Sequence, residues 1–278
     1  MTGAMNFEAL HVEQTGAVLH ITLNRLASRN AMSLRMVAEL RSALETAETG
    51  GSVRVVVLRG AGGHFCAGAD LKDVAAARLR AMQNEPPVSE AGVSLDAVAQ
   101  ANLQFGELCV AYAKTPLALV AILEGSVMGG GLGLTCVADV ALACESAVFR
   151  LPETALGVVP AQIAPFLVER LGYSQAKRLA VTGGRLNAAN ALAIGLVHAV
   201  HAPDQMDTAL TAVLADILAC APGAVAATKA LMAKARLTEP SSLMQEAAVI
   251  FSRAVQGPEG LEGTTAFLQK RKPNWALQ

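Results

Sequence analysis

Two glycine-rich turns and one glutamate are the residues of this chain whose types and spacing could do chemistry. The first turn is Phe65-Cys66-Ala67-Gly68-Ala69-Asp70-Leu71-Lys72, the second is Gly129-Gly130-Gly131, and Pro152-Glu153 follows. Each turn stands before a helix-forming stretch. Its backbone N–H groups therefore lie among the unsatisfied donors at a helix start, where the dipole favours negative charge. Two such turns converging on one oxygen would hold an oxyanion, the charge that develops on an enolised carbonyl. Their small residues let a ligand come close to the backbone.

Each element has a plainer reading. A strand-to-helix turn can need glycine for geometry alone, and the first turn by itself fits that as well as it fits a ligand site. Three adjacent glycines are harder to explain by packing, because each costs about 1 kcal/mol against alanine wherever it is helical. Glu153 after proline has the look of an ordinary exposed helix-start residue. Apolar residues flank it, however, and burial would raise its pKa into the range useful for general acid–base work. Asp70 and Asp139 read as carboxylates that cap nearby amides, and His64, with no partner at metal spacing, as a loop-packing residue. No GxSxG elbow, phosphate-loop lysine or dinucleotide fingerprint is present. Serine-nucleophile, nucleotide and metal sites are thereby disfavoured.

The elements that must position these residues follow from periodicity. Val18 to Leu23 and Val53 to Leu58 read as strands on either side of a helix over Ser33 to Glu48, whose Leu34, Val37, Leu40 and Leu44 recur at helical spacing. Ser33 suits an N-cap and Gly50-Gly51 a stop. Leu117 to Leu123 and Val140 to Ala143 read as further buried strands, which predicts an α/β core rich in parallel pairing. Pro86-Pro87 interrupts the helical pattern after Lys72 and predicts a mobile loop between helices. From Asp204 onward only amphipathic segments remain, Met206 to Ala219, Ala224 to Arg236, Ser241 to Val255 and Leu261 to Lys270. The expected division is 1–203 as the catalytic core and 204–278 as a helical region.

Composition narrows the partners. With 278 residues, 53% of them hydrophobic, the chain can fill a sizeable core. Its net charge of −1, with Lys270-Arg271-Lys272 as the one basic cluster, lacks the footprint of a nucleic-acid binder and favours a small-molecule ligand. Five cysteines without CxxC spacing read as reduced thiols. Residues 1–10 carry Glu8 and no apolar signal core, and the nearly uncharged run from Thr115 to Ala138 is broken by Pro116, Glu124 and glycines. A cytoplasmic protein without a membrane span is expected.

Five segments carry a family resemblance: Leu23-Asn24-Arg25, Asn30-Ala31-Met32-Ser33, His64 through Lys72, Gly129-Gly130-Gly131, and Glu262 through Pro273. Spanning nearly the whole chain, they resemble the enoyl-CoA hydratase/isomerase (crotonase) superfamily. The resemblance implies an α/β spiral of ββα units with a C-terminal helical trimerisation region, assembled as a trimer or dimer of trimers. It implies that the Ala69 and Gly130 N–H groups polarise the thioester carbonyl of an acyl-CoA. It further implies that Arg29, Ala31, Ala67, Gly68, Asp70 and Leu71 contact CoA, and that Phe267 and Lys270 reach the CoA of a neighbouring subunit. No cofactor is implied beyond the CoA of the substrate.

Two departures from the family pattern bear on the reaction. Where two-glutamate hydratases carry their first catalytic glutamate this chain has Gly133, leaving Glu153 alone as the catalytic acid–base. The segment Ala161-Gln162-Ile163-Ala164-Pro165-Phe166 replaces a glycine-rich stretch. It resembles the bacterial branch that hydrates branched glutaconyl thioesters, 3-methylglutaconyl-CoA or isohexenylglutaconyl-CoA, in leucine and acyclic-terpene breakdown. The expected activity is therefore hydration of an enoyl-CoA. A Δ3,Δ2-enoyl-CoA isomerase using Glu153 alone, a thioester decarboxylase and a non-catalytic acyl-CoA-binding member are the alternatives.

Overall fold

In the computed structural model, which describes residues 7–83 and 95–276, the core is organised by alternation along its strands. β1 (Leu10–Thr15) and β2 (Val18–Leu23) form a hairpin, α1 (Leu34–Gly50) crosses over, and β3 (Val55–Gly60) pairs parallel to β2. The Ser33 hydroxyl accepts the Met36 N–H at the start of α1, and Gly51 ends it in the left-handed region. The chain continues through α2 (Leu71–Gln83), α3 (Ala97–Lys114), β4 (Ala118–Leu123), β5 (Ser126–Met128) and α4 (Gly130–Val137). Then come β6 (Val140–Cys144), β7 (Val148–Arg150), α5 (Ala164–Val181), β8 (Arg185–Asn187), α6 (Ala188–Ala193) and β9 (Ala199–His201). Four helices finish it: α7 (Met206–Ala219), α8 (Pro222–Ala235), α9 (Pro240–Gln256) and α10 (Pro258–Leu268).

The main sheet has the order β1-β2-β3-β4-β6-β9, with every pair after the first hairpin parallel. β4 is buried at all six positions, as a strand covered on both faces must be. Leu19, Ile21, Leu23, Val56, Leu58, Leu119 and Leu123 face α1 and α3, whose Met36, Leu40, Leu108 and Tyr112 are fully buried there. The alternate residues Val55, Val57, Val120, Ile122 and Leu142 meet Met206 and Leu210 of α7 on the other face. The helical stretch that begins at residue 204 thus supplies one wall of the core. Burial of both faces, at about 25 cal/mol per Å² of apolar surface, stabilises this arrangement more than any other interaction in it.

A second, three-stranded sheet, β5-β7-β8, was not expected, because three residues are too few to show a period. The edge strand β1 also escaped notice, since four of its six positions are exposed. β3 runs two residues later than the sequence suggested, β2 and α7 have the expected limits, and the remaining expected strands and helices differ by one to three residues at their ends. The proline-containing loop at residues 86–87 lies outside the described residues.

The last three helices are less buried: α8 buries no residue, α9 only Leu243, α10 only Ala266. Polar contacts tie them down. Lys229 Nζ lies 2.5 Å from Asp139 and donates to the Leu117 carbonyl, while Arg54 donates to the Trp275 carbonyl and Trp275 Nε1 donates to the Ala219 carbonyl. All five cysteines are free, and burial pushes the Cys66 thiol up to about 11 and Cys136 to about 12. Among the described residues no single helix is long and apolar enough to cross a membrane, and no group of His, Cys, Asp and Glu could hold a metal ion.

Candidate active site

The first glycine-rich turn is stitched between two partners. On one side the Phe65 N–H donates to Glu124, the Cys66 N–H to Ser126, and the Met128 N–H back to Cys66, all to carbonyls at 2.8–2.9 Å. On the other side the Ala67 N–H donates to the Arg29 carbonyl, the Met32 N–H to Gly68 and the Asp70 N–H to Met32. This last pair forms a parallel bridge between Met32 and Ala69. In such a bridge the neighbours of Ala69 make the bonds, so its own N–H points to the opposite side. Among the described residues, that N–H donates to nothing.

The second turn leaves its donor free for a different reason. β5 pairs parallel with β7, and the Gly129 N–H donates to the Arg150 carbonyl. Gly130 then opens α4, and the Leu132 and Gly133 N–H groups both return to the Gly129 carbonyl. The Gly130 N–H is one of the orphans at a helix start. α4 is anchored at its other end by Arg170, half-buried, which donates 3.0 Å hydrogen bonds to the Thr135 and Ala138 carbonyls.

Glu153 arrives from β7 in a short helical turn over Glu153–Leu156. Because β7 lies beside β5, that turn falls next to the glycines. A Cβ on Gly129 would stand 3.1 Å from Glu153 Oε1, 3.3 Å from Gly68 Cα and 4.0 Å from the Ala69 nitrogen. Both turns and the carboxylate therefore meet at Gly129, whose φ of 48° and ψ of −114° suit no residue with a side chain. Glu153 Oε2 is buried with no hydrogen-bond partner among the described residues. Burial raises the Glu153 carboxyl above its ordinary range, offset only in part by its own backbone amide. A carboxylate held this way is a strengthened proton acceptor.

Supporting residues hold the first turn in place. Arg25 reaches Asp70 at 2.6 Å and the Ala31 carbonyl at 2.5 Å, and Asp70 also accepts the Lys72 N–H at the start of α2. Burial pushes the Asp70 carboxyl up, but Arg25 and the Lys72 amide outweigh it and hold it below the usual range. Asn30, fully buried with φ 58°, accepts the Arg25 N–H and donates to the Ala61 and His64 carbonyls. Asp139 accepts the Leu119 N–H and His64 Nδ1 accepts the Ser126 N–H, the capping and loop-packing roles expected of them. Reading the sequence missed the clamp made by Arg25 and Asn30. Several polar residues share that strand-to-helix connection, so nothing local singles the pair out, and its partners are 31 to 45 residues away.

The position of Gly133 is closed by apolar atoms. A Cβ there would meet the Phe105 ring at 3.1 Å and Ile163 Cγ1 at 3.3 Å, and Phe105 also covers Gly130. Leu71 is exposed beside the first turn and Arg29 sits next to it in the left-handed region. Phe267 and Lys270 lie at the exposed end of α10, whose packing neighbour is α9. Within this chain they are not brought to the two turns.

Comparison with known proteins identifies the family of this fold. A family model described as enoyl-CoA hydratase/isomerase matches residues 13–278. The structure is similar to Pseudomonas aeruginosa AtuE, with 50% identity, coverage of 97% of this chain and 100% of that one, and a TM-score of 0.89. It is similar to an enoyl-CoA hydratase/isomerase from Marinobacter aquaeolei, with 46% identity, 97% and 99% coverage and a TM-score of 0.90. A peroxisomal Δ(3,5)-Δ(2,4)-dienoyl-CoA isomerase of Arabidopsis thaliana is 27% identical over 281 residues, covering 99% of each chain. With two backbone donors and one buried carboxylate meeting at Gly129 on a crotonase fold, the chain belongs to the enoyl-CoA hydratase/isomerase family.

Proposed function

We propose that this protein adds water across the 2,3 double bond of an enoyl-CoA thioester, and that its substrate is a branched glutaconyl-type acyl-CoA such as 3-methylglutaconyl- or isohexenylglutaconyl-CoA. The observation that carries the reading is the meeting of Glu153 Oε1, the first turn and the second turn at Gly129. The thioester oxygen takes the Ala69 and Gly130 N–H groups, which are preorganised donors for the negative charge of an enolate. Glu153 handles the proton that water loses and C2 gains. Support for the branched substrate comes from the Ala161-to-Phe166 segment and from Gly133 in the first-glutamate position.

CoA contacts are assigned to Arg29, Ala31, Ala67, Gly68, Asp70 and Leu71. For Asp70 the contact is through its backbone, since its carboxylate is taken by Arg25 and Lys72. Phe267 and Lys270 are assigned to the CoA of a neighbouring subunit in a trimer or dimer of trimers, consistent with the apolar residues left exposed on α9 and α10. Gly133 in place of the first glutamate gives one specific observation to a rival. Glu153 acting alone, with the Gly133 position filled by Phe105 and Ile163, suits an isomerase that moves a proton between C2 and C4. Incubating the protein with a panel of enoyl-CoA thioesters in heavy water, with mass spectrometry of the products, separates the two. Addition of water to a glutaconyl-type thioester is expected; deuterium exchange without added water would make this an isomerase.

A further inference from the structure

We infer that Phe105 selects the acyl group, its ring serving as the wall that the carbons beyond the thioester carbonyl must pass. The inference deepens the acyl-CoA reading above and rests on it, and it holds for hydration and proton transfer alike. Two glycines that face this ring carry it. A Cβ on Gly130 would stand 3.2 Å from Phe105 Cε2 and 3.3 Å from Cζ, and a Cβ on Gly133 would stand 3.1 Å from Cζ and 3.3 Å from Cε1. Residues three apart on a helix share a face, so one ring roofs the first turn of α4.

Packing of the core does not use the whole of that ring. Phe105, Leu108, Cys109 and Tyr112 recur at helical spacing on α3; the last three are fully buried, whereas Phe105 is only partly buried. Ile163, itself buried, meets the Gly133 position from another side at 3.3 Å, and Met32 Cβ would lie 3.8 Å from a Cβ on Gly130. Next to the ring along α3, a Cβ on Gly106 would stand 2.6 Å from Gln162 Cδ, so α3 and the segment carrying Ile163 are in direct contact.

Distance places the ring near the chemistry. The nitrogen of Gly130 and a Cβ on the same residue are about 2.5 Å apart, so the ring edge stands no more than about 6 Å from that nitrogen. A thioester oxygen resting on the Gly130 N–H lies about 2.9 Å from it, and each further acyl bond adds about 1.5 Å. The first few acyl carbons are therefore within reach of the ring. Bulk at 105 and bulk at 133 also exclude each other, because any side chain at 133 meets the ring edge more tightly than ordinary contact allows. Removing the ring opens that space to the ligand, and enlarging it closes more of the site.

Affinity for non-reacting thioesters tests this whatever the reaction is. Calorimetry with butyryl-CoA and octanoyl-CoA gives a ratio of affinities for the parent. Phe105→Ala should move that ratio towards the longer chain by about tenfold or more, since one methylene in an apolar pocket already discriminates by about that much. Phe105→Trp should move it the opposite way. Where circular dichroism shows Phe105→Ala unfolded, Phe105→Leu takes its place, with a smaller shift of the same sign. Adding Gly133→Met to Phe105→Ala refills the space from α4 and should return the ratio towards that of the parent. A ratio that no variant moves, or one that refilling does not restore, would overturn the inference. So would equal weakening of both thioesters, which would leave the ring a packing role only. A parent protein that binds no acyl-CoA would overturn the acyl-CoA reading itself; one that binds both thioesters in a ratio its variants keep would overturn the role of Phe105 alone.

Discussion

Glu153 carries a cost in the folded protein that the proton-handling role proposed for it would explain. Its carboxyl is raised by burial, with Oε2 unpartnered, so the ionised form is disfavoured in the fold relative to the unfolded chain. The sign of the linkage follows. Below the ordinary value of 4.5 the group is protonated in both states and adds no penalty; as pH rises through the folded pKa the unfolded chain is favoured. Glu153→Gln should therefore be more stable than the parent near pH 7, with the difference shrinking below pH 4.5, as followed by chemical denaturation at both pH values. The same substitution should lower turnover by about a hundredfold or more while thioester affinity, measured by calorimetry, changes little, because the charge removed lies at the reacting carbons. In the parent, kcat/KM should climb with pH as the free carboxyl ionises. A flat profile with full activity in Glu153→Gln would remove Glu153 from the mechanism.

At the scale of elements, the site depends on short pieces that could not stand alone. α4 has eight residues and contains Gly130, Gly131 and Gly133, a poor helix by propensity. It is held at its C-terminal end by Arg170 and at its N-terminal end by the β5–β7 pairing. Replacing Arg170 with Met removes two charged hydrogen bonds to carbonyls and should cost about 2–3 kcal/mol. The midpoint of thermal unfolding should fall by roughly 3–5 °C for a chain of this size. Gly129→Ala acts at the junction itself. It forces a side chain into φ 48° and within 3.1 Å of Glu153 Oε1, so steady-state assays should show activity nearly abolished together with a stability loss of about 1–3 kcal/mol. Loss of stability with activity intact would mean that the two turns do not meet there in solution.

Among the large apolar residues the whole molecule leaves exposed, several lie on its last two helices. Met244, Phe251, Val255, Leu261, Phe267 and Leu268 are exposed on α9 and α10, and Phe251 is 71% accessible. Single exposed apolar residues are ordinary, but several on two adjacent helices mark an interaction face. In the proposed trimer this face is covered. Phe251→Asp should lower the mass found by sedimentation velocity from an oligomer towards the 28.6 kDa chain, while the fold of the core, followed by circular dichroism, stays intact. A parent protein sedimenting as a monomer would sink the assembly proposal and with it the role given to Phe267 and Lys270 across subunits.

Much of the fold was legible because its signals are local. The β2, α1, β3 unit, the buried run of β4, the N-cap at Ser33 and the limits of α7 follow from periodicities of two and 3.6 and from capping chemistry within a few residues. Composition and the glycine turns likewise pointed to an oxyanion site and to Glu153. The short strands β5, β7 and β8 were illegible, since three residues carry no period, and so were contacts between residues far apart in sequence. Sequence alone determined which backbone donors and which carboxylate are available to the proposed site. Tertiary structure decided that they meet at Gly129, that Arg25 and Asn30 pin the first turn, that Arg170 holds α4, and that Phe105 and Ile163 fill the space beside Gly133. The physical reason is that a side chain's type is a local property, whereas its partner is chosen by strand pairing and packing between segments tens of residues apart.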